Sequence, residues 1–157
     1  MRRNAQRADE TRAEIAARTG STAVEILLAD LASQSEIRRA ASQLLATGAP
    51  LHVLLNNAEV VHTSRTETQD GIETTFAVNH LAPFLLTNLL LERIVESRPA
   101  RIVNLSSEAH KLGGGLDFDD LGATRRYSGF RSTGARSSRI STSRASSRGA
   151  RSEPASA

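Results

Sequence analysis

The sequence predicts an α/β fold built on a partial, doubly wound parallel sheet. Two apolar runs, 51–55 and 101–105, are each followed by small polar residues, which is how buried parallel strands present polar groups at their carboxyl ends. A long helical stretch, 68–96, lies between them, and this order favours a parallel sheet with crossover connections. A third short run with two β-branched residues, 24–28, is predicted to be the first strand.

Periodicity and end signals justify the helices. Residues 8–18 place apolar side chains at helical spacing, with charged residues between them. A second helix begins at Ser33 and runs to about residue 47, because Ser33 is a good N-cap and Glu36 completes the capping-box pattern. Pro83 lies inside the long helical stretch and predicts a kink or break there, since proline has no N–H to donate.

Composition narrows the function classes. A chain of 157 residues is one domain by length, and its core has to be aliphatic because only 3% of the residues are aromatic. The absence of Cys excludes disulfides and thiolate metal sites, and no metal site is predicted. We see neither a signal peptide nor an apolar run long enough to span a membrane. A cytoplasmic protein without a membrane span is therefore expected.

The net charge of +3 belongs to the carboxyl-terminal part of the chain. Residues 131–157 contribute +5, which leaves −2 for residues 1–130. The latter form the predicted folded domain, whereas Ser, Arg, Ala, Gly and Thr dominate 131–157, which we expect to be disordered. No nucleic-acid partner is predicted, because the folded domain is not basic and no aromatic platform accompanies the basic tail.

Three polar groups follow or separate the apolar runs. Residues 56–59 read Asn-Asn-Ala-Glu, Asn79 lies in the long helical stretch, and Ser106 and Ser107 follow the last run. Alone, these are a polar turn, a surface Asn and a serine turn. In this order and spacing they resemble the short-chain dehydrogenase/reductase family. The resemblance covers residues 2–130 and implies a partial dinucleotide-binding (Rossmann-like) domain over 1–130.

Further stretches resemble the branch of this family that includes retinol dehydrogenases, namely residues 108–111 and 116–121. The resemblance implies an NAD(P)-dependent oxidoreductase that acts on a small carbonyl or alcohol substrate, with NADP or NAD as its cofactor. It implies that Ser107 hydrogen-bonds the substrate oxygen and that Asn79 supports a proton-relay water. These two are the predicted catalytic residues.

The resemblance also implies a set of cofactor-binding residues. They are Arg3, Asp30, Leu31, Asn57 and Ala58. Asp30 would meet the adenine ring. The helix dipole also favours a carboxylate at the start of a helix, and this explains an Asp at position 30 equally well. Arg3 would meet the 2′-phosphate of NADP. Glu59 stands where the family has Gly, so a side chain and a negative charge replace a close backbone approach.

Two parts of the family pattern are missing from the chain. There is no Gly-rich phosphate turn, so we expect the chain to begin after the first βαβ unit and to bind NADP(H) weakly or not at all. The only Tyr, Tyr127, lies too early for the catalytic Tyr and has no Lys four residues on. We therefore expect a truncated, inactive relative. The alternative is a non-catalytic interaction module that pairs through its long helices, with a homo-oligomer as one outcome.

We expect the tail to be out-of-frame translation. Codons exist for residues 132–140 that, shifted by one base, read Tyr-Gly-Arg-Ser-Lys-Leu-Ala-Asn, which contains Tyr-x-x-x-Lys at the position the family requires. Sequencing the gene with its flanks tests this. If neither of the other reading frames encodes Tyr-x-x-x-Lys near codon 132, the out-of-frame interpretation is wrong.

Overall fold

Two helices are followed along the chain by a strand, a long helix and a second strand. The computed structural model describes residues 4–105, 118–125 and 127. The elements are α1 (Ala5–Thr19), α2 (Gln34–Ala46), β1 (Val53–Asn56), α3 (Thr74–Glu96) and β2 (Arg101–Asn104), followed by a short 3₁₀ turn, Phe118–Asp120. The tail for which disorder is predicted lies outside the described residues.

Both amino-terminal helices are confirmed, and local hydrogen bonds set their ends. The side chain of Asn4 accepts a backbone N–H of the first turn of α1, and Gly20 ends that helix with a left-handed φ of +71°. The hydroxyl of Ser33 accepts the N–H of Glu36 at the start of α2 (3.3 Å). The capping box is only half formed, because the Glu36 carboxylate pairs with Arg39 at 2.6 Å.

The strand predicted at 24–28 is wrong. Within this stretch only Leu28 makes a β-type bridge. Val24 and Ile26 lie with Ile15 of α1 around a cleft of about 130 Å³. The side chains of this run therefore meet a helix while the backbone lacks the ladder that defines a strand. Residue propensity indicates extended backbone here and does not supply the pairing partner.

β1 and β2 form a two-stranded parallel sheet in the described chain. The register pairs Val53 with Arg101 and Asn56 with Asn104. α3 supplies the crossover between the strands, as the strand–helix–strand order predicts. Both strands lie within one or two residues of the predicted apolar runs. Leu54 holds β1 against the helices, whereas all four residues of β2 are exposed and the parallel pairing with β1 places that strand.

The core lies on the face of the sheet that α2 and α3 cover. Leu54 of β1 is buried there among apolar side chains of both helices, including Ile37, Ala41, Leu86, Leu90 and Ile94. Successive strand side chains alternate between faces, so Val53 and Leu55 point the other way and are 52% and 56% exposed. No described element buries that second face.

α3 differs from the predicted helix 68–96 in two places, at its start and near Pro83. Residues 66–73 fold into a turn in which the N–H of Thr68 donates to the carbonyl of Ile72 (2.8 Å), so the helix begins later. Of the predicted kink or break at Pro83, the break is absent, and the kink stays a prediction. Ala77–Leu81 widen into a π turn that ends two residues before the proline. The change of register at a π turn leaves a carbonyl unpaired, so a residue without N–H fits there.

The uninterrupted α3 is long and apolar enough to cross a membrane by length and composition. Core helices of soluble proteins meet the same two criteria, and Leu86, Leu90 and Ile94 of α3 are core residues. The expectation of no membrane span therefore stays a prediction.

The two adjacent leucines of α3 test where its stability comes from. Leu90 is 1% exposed and Leu91 is 45% exposed. We expect Leu90→Ala to lower the free energy of unfolding by about 2–5 kcal/mol, because it leaves a cavity between α2 and β1. Leu91→Ala is the matched control and should change it by less than about 0.5 kcal/mol. Equal losses in urea or thermal unfolding would contradict the described packing.

Candidate functional site

The carboxyl ends of β1 and β2 meet at one edge of the sheet and are tied together there. Nδ2 of Asn56 donates to Oδ1 of Asn104 (2.8 Å) and to Oγ1 of Thr87 on α3 (3.2 Å). Asn57 and Ala58 follow directly and are exposed at this edge. The structure thus places the polar segment after β1 where open α/β sheets bind their ligands.

Asn79 is brought to this segment and is 4% exposed. Its Oδ1 accepts the N–H of Val60 (2.9 Å) and its Nδ2 donates to the carbonyl of the same residue (2.8 Å). Both polar atoms of the Asn79 amide are therefore hydrogen-bonded to the backbone of Val60 in the loop after β1. The side chain of Asn79 fixes this loop, while a part in a proton relay stays a prediction.

The π turn around Asn79 is a feature that sequence periodicity missed. It spans Ala77–Leu81, and π turns within helices occur often at functional sites. The ring of His80 stacks on Phe76, four residues earlier, with centroids 5.4 Å apart. This contact supports a packing role for His80. The one sequence signal near the π turn is Pro83, which indicates an irregularity but not its type.

Asp30 and Leu31 lie at the entry of α2. Oδ1 of Asp30 accepts the N–H of Ala32 (3.0 Å), and its carbonyl accepts the N–H of Ser33 (3.1 Å). This is the local turn that the helix-entry explanation requires. Leu31 is half-buried and packs on the core. Contact of either residue with a nucleotide remains a prediction.

Glu73 is a functional-site neighbour that sequence reasoning missed. Its carboxylate is buried and accepts the N–H groups of Thr75 and Phe76 (both 2.8 Å), which caps the start of α3. Ser, Thr, Asp and Asn are the usual N-caps, so capping rules rank a Glu low. Glu73 directly precedes Thr74, so its carboxylate reaches the N–H groups of the first helical turn locally.

The same turn also closes the start of α2. Oδ2 of Asp70 accepts the N–H of Gln34 (2.9 Å), and the amide of Gln69 donates to the hydroxyl of Ser33. Acidic side chains of one short segment therefore cap two helix N-termini: Asp70 caps that of α2 and Glu73 that of α3.

A strap, defined as residues 118–125 with Tyr127, lies against the loop after β1. Nε of Arg65 donates to the carbonyl of Gly122 (2.8 Å), and the hydroxyl of Tyr127 donates to the carbonyl of His62 (3.0 Å). Asp120 shapes the strap itself. Hydrogen bonds from the N–H of Arg125, and then from Thr124, lower the pKa of Asp120 to about 2.

A cleft of about 210 Å³ lies between α2 and α3 and not at the sheet edge. Its lining is mostly apolar, with Leu31, Ile37, Ile72 and Leu85 among its residues. It offers no cluster of donors for a phosphate. The described residues also contain no group of three or more His, Asp or Glu that could hold a metal ion.

Two predicted site residues, Arg3 and Ser107, lie outside the described residues. The other five are described. Asn79 joins the loop of Asn57 and Ala58 by direct hydrogen bonds to Val60, whereas Asp30 and Leu31 belong to the entry of α2.

Comparison with known proteins assigns the family. The family model for the short chain dehydrogenases matches residues 1–116, well over half of the chain. This chain belongs to the short-chain dehydrogenase family. Among its curated relatives, mouse retinol dehydrogenase 12 is 46% identical over 125 residues, which is 80% of this chain and 39% of the relative. Mouse retinol dehydrogenase 11 is 47% identical over 115 residues, or 73% and 36%.

Solved structures agree on the fold. An uncharacterised protein from Mycobacterium paratuberculosis is 34% identical, with a TM-score of 0.63 over 85% of this chain and 46% of that one. A short-chain dehydrogenase from Sphingobium yanoikuyae in complex with NADPH is 26% identical, with a TM-score of 0.63 over 90% and 51%. The chain spans about two fifths of the curated relatives' length and about half of these structures. The predicted partial Rossmann-like fold and the retinol dehydrogenase-like branch are confirmed.

Removing the amide of Asn79 tests how this short-chain dehydrogenase holds its site loop. Asn79→Ala leaves the N–H and the carbonyl of Val60 without their partners, so we expect a loss of about 1–3 kcal/mol in the free energy of unfolding. The matched control is Asn88→Ala on the same helix, where an exposed amide donates to the carbonyl of Phe84 (2.8 Å). This control should lose less than about 0.5 kcal/mol in chemical denaturation. Similar losses would refute the special role of Asn79.

Proposed function

We propose that this protein derives from an NADP(H)- or NAD(H)-dependent oxidoreductase acting on a small carbonyl or alcohol compound, and that the 157-residue chain alone does not transfer hydride. The observation that carries the lineage is the loop of Asn57 and Ala58, held by Asn79 at the carboxyl edge of a parallel sheet. The retinol dehydrogenases among the relatives support an alcohol or aldehyde as the substrate class.

The residues at the sheet edge fit the cofactor only in part. NAD(P) would supply the hydride-carrying nicotinamide, and Asn57 and Ala58 are accessible to it at this edge. A pyrophosphate needs free N–H groups at a helix N-terminus. Each described helix N-terminus is already capped, that of α1 by Asn4, that of α2 by Ser33 and Asp70, and that of α3 by Glu73.

Acidic side chains make the misfit electrostatic as well as geometric. The carboxylates of Asp70 and Glu73 accept backbone N–H groups at the starts of α2 and α3, and the exposed Glu59 adds a third negative charge beside Ala58. Like charges oppose the binding of a pyrophosphate. This arrangement supports weak binding of NADP(H) by the described part of the chain, and we derive no reaction step through the cofactor.

The hydroxyl of Tyr127 is already hydrogen-bonded within the chain. In this family's chemistry a Tyr phenol gives or takes a proton, but the hydroxyl of Tyr127 bonds to the carbonyl of His62 and to Thr75. Arg131, and not Lys, stands four residues on. Tyr127 therefore serves the structure of the loop in our proposal.

A second candidate is a non-catalytic interaction module. Val53 and Leu55 on the open face of the sheet are 52% and 56% exposed, and Phe84 on α3 is 64% exposed. Exposed apolar patches of this kind mark interaction surfaces or aggregation sites. Size-exclusion chromatography with light scattering separates the cases, since a module that pairs with its own copies elutes as a defined oligomer and an inert remnant elutes as a monomer.

Cofactor titration tests the main proposal. We expect the purified chain to show no saturable binding of NADPH at micromolar concentrations by calorimetry, because its sequence has no Gly-rich phosphate turn and its described helix N-termini are capped. We also expect no loss of NADPH absorbance with retinaldehyde or smaller aldehydes. Mouse retinol dehydrogenase 12, assayed in parallel, controls for the substrates. Micromolar affinity, or aldehyde-dependent oxidation of NADPH by the chain, would overturn the proposal.

A further inference from the structure

We propose that Tyr127 is a positioning residue: its hydroxyl relays a hydrogen bond from Thr75 to the carbonyl of His62 and thereby fixes the loop that carries Asn57 and Ala58. The link to a cofactor crevice rests on the proposed function. The mechanical coupling of the strap to the loop does not, because it involves only contacts within the chain.

The direction of each bond follows from counting protons. The Tyr127 hydroxyl lies 3.0 Å from the carbonyl of His62 and 3.2 Å from Oγ1 of Thr75. A carbonyl can only accept, so the single phenol proton goes to His62, and Thr75 has to donate to the phenol oxygen. Thr75 is fully buried, so its hydroxyl needs this partner. Bonds arranged head to tail in this way strengthen one another.

The loop depends on such bonds because burial does little to hold it. Asn57, Ala58, Glu59 and Val61 are exposed, and residues 57–66 contain no helix or strand. Apolar packing therefore supplies little of the energy that offsets the entropy of ordering this segment.

Residues distant in the chain hold the loop at three separate points. Asn79 binds the backbone of Val60 from α3, Tyr127 binds His62 from the strap, and the carbonyl of Gly122 accepts from Arg65. Asn79 and Tyr127 thus clamp points only two residues apart. Release of one clamp leaves the peptide between them anchored at a single end, so both should act on the same exposed segment.

Amide hydrogen exchange by NMR on the full chain, without cofactor, measures the effect directly. Tyr127→Phe keeps the ring and removes the hydroxyl. Within residues 60–67 we expect the amide of Val60, whose N–H donates to Asn79 (2.9 Å), to exchange roughly 2- to 12-fold faster, which corresponds to the loss of one hydrogen bond. The amides of α2 should keep their rates. A role in general stability would raise both sets together, so the selectivity for the loop is the decisive readout.

Matched variants complete the test. Thr75→Val should reproduce the effect of Tyr127→Phe, and Thr75→Ser, which keeps the hydroxyl, should restore the original rates. Arg125→Ala alters the strap, where its side chain donates to the carbonyl of Asp119 (3.2 Å), and should leave residues 60–67 unchanged. If Tyr127→Phe and Thr75→Val both leave the loop rates unchanged relative to α2, the proposal is wrong.

A second measurement uses the unaltered chain and therefore does not depend on whether a variant folds. Tyr127 is its only tyrosine and it has no tryptophan, so its intrinsic fluorescence reports this ring alone. We expect acrylamide to quench it several-fold less than in urea-unfolded chain. Equal quenching in both states would overturn the docked position of Tyr127. Neither readout uses NADPH, so failure of the proposed function would leave this test unaffected.

Discussion

The packing of α3 across α2 and β1 is the constraint on which the remaining structure depends. Leu86, Leu90 and Ile94 recur at intervals of four residues on one side of α3 and bury against Leu54 and the apolar face of α2. A two-stranded sheet has little stability of its own, so this helix layer supplies most of the apolar burial. Because α3 is also the crossover between β1 and β2, its position fixes their parallel register and carries Asn79 to the edge of the sheet.

The segment 66–73 ties this scaffold together at the end where ligands would bind. Its carboxylates and amide reach two helices, with Asp70 and Gln69 at α2 and Glu73 at α3. The carboxylates of Asp70 and Glu73 satisfy N–H groups that have no partner within the helix, whereas the amide of Gln69 donates to the hydroxyl of Ser33. They also remove the donors and the positive electrostatic potential that an anion would seek there. Closing these helix ends stabilises the fold and makes it a poor site for a pyrophosphate.

The sequence carries the fold class because its strongest signals are periodic burial and strand-end polarity. The apolar stripe of α3, the N-cap Ser33 and the two apolar runs all lie where those signals put them. The strand at 24–28 fails because propensity contains no information about a pairing partner. The capping role of Glu73 is missed because capping preferences rank Glu low, and the π turn is missed because helical periodicity assumes a single register. The order Asn57, Asn79 indicates a shared site, but the bond to Val60 is visible only in three dimensions.

The face of the sheet that carries Val53 and Leu55 is apolar although it is exposed. Doubly wound sheets place helices on both faces, and in such sheets strand residues are apolar on both sides. Val53 and Leu55 keep that composition although no described element covers them. Their apolar character is therefore explained by the family fold and not by local burial. The loop after β1 is largely exposed, so it gains little from packing, and its hydrogen bonds run to Asn79 and to the strap.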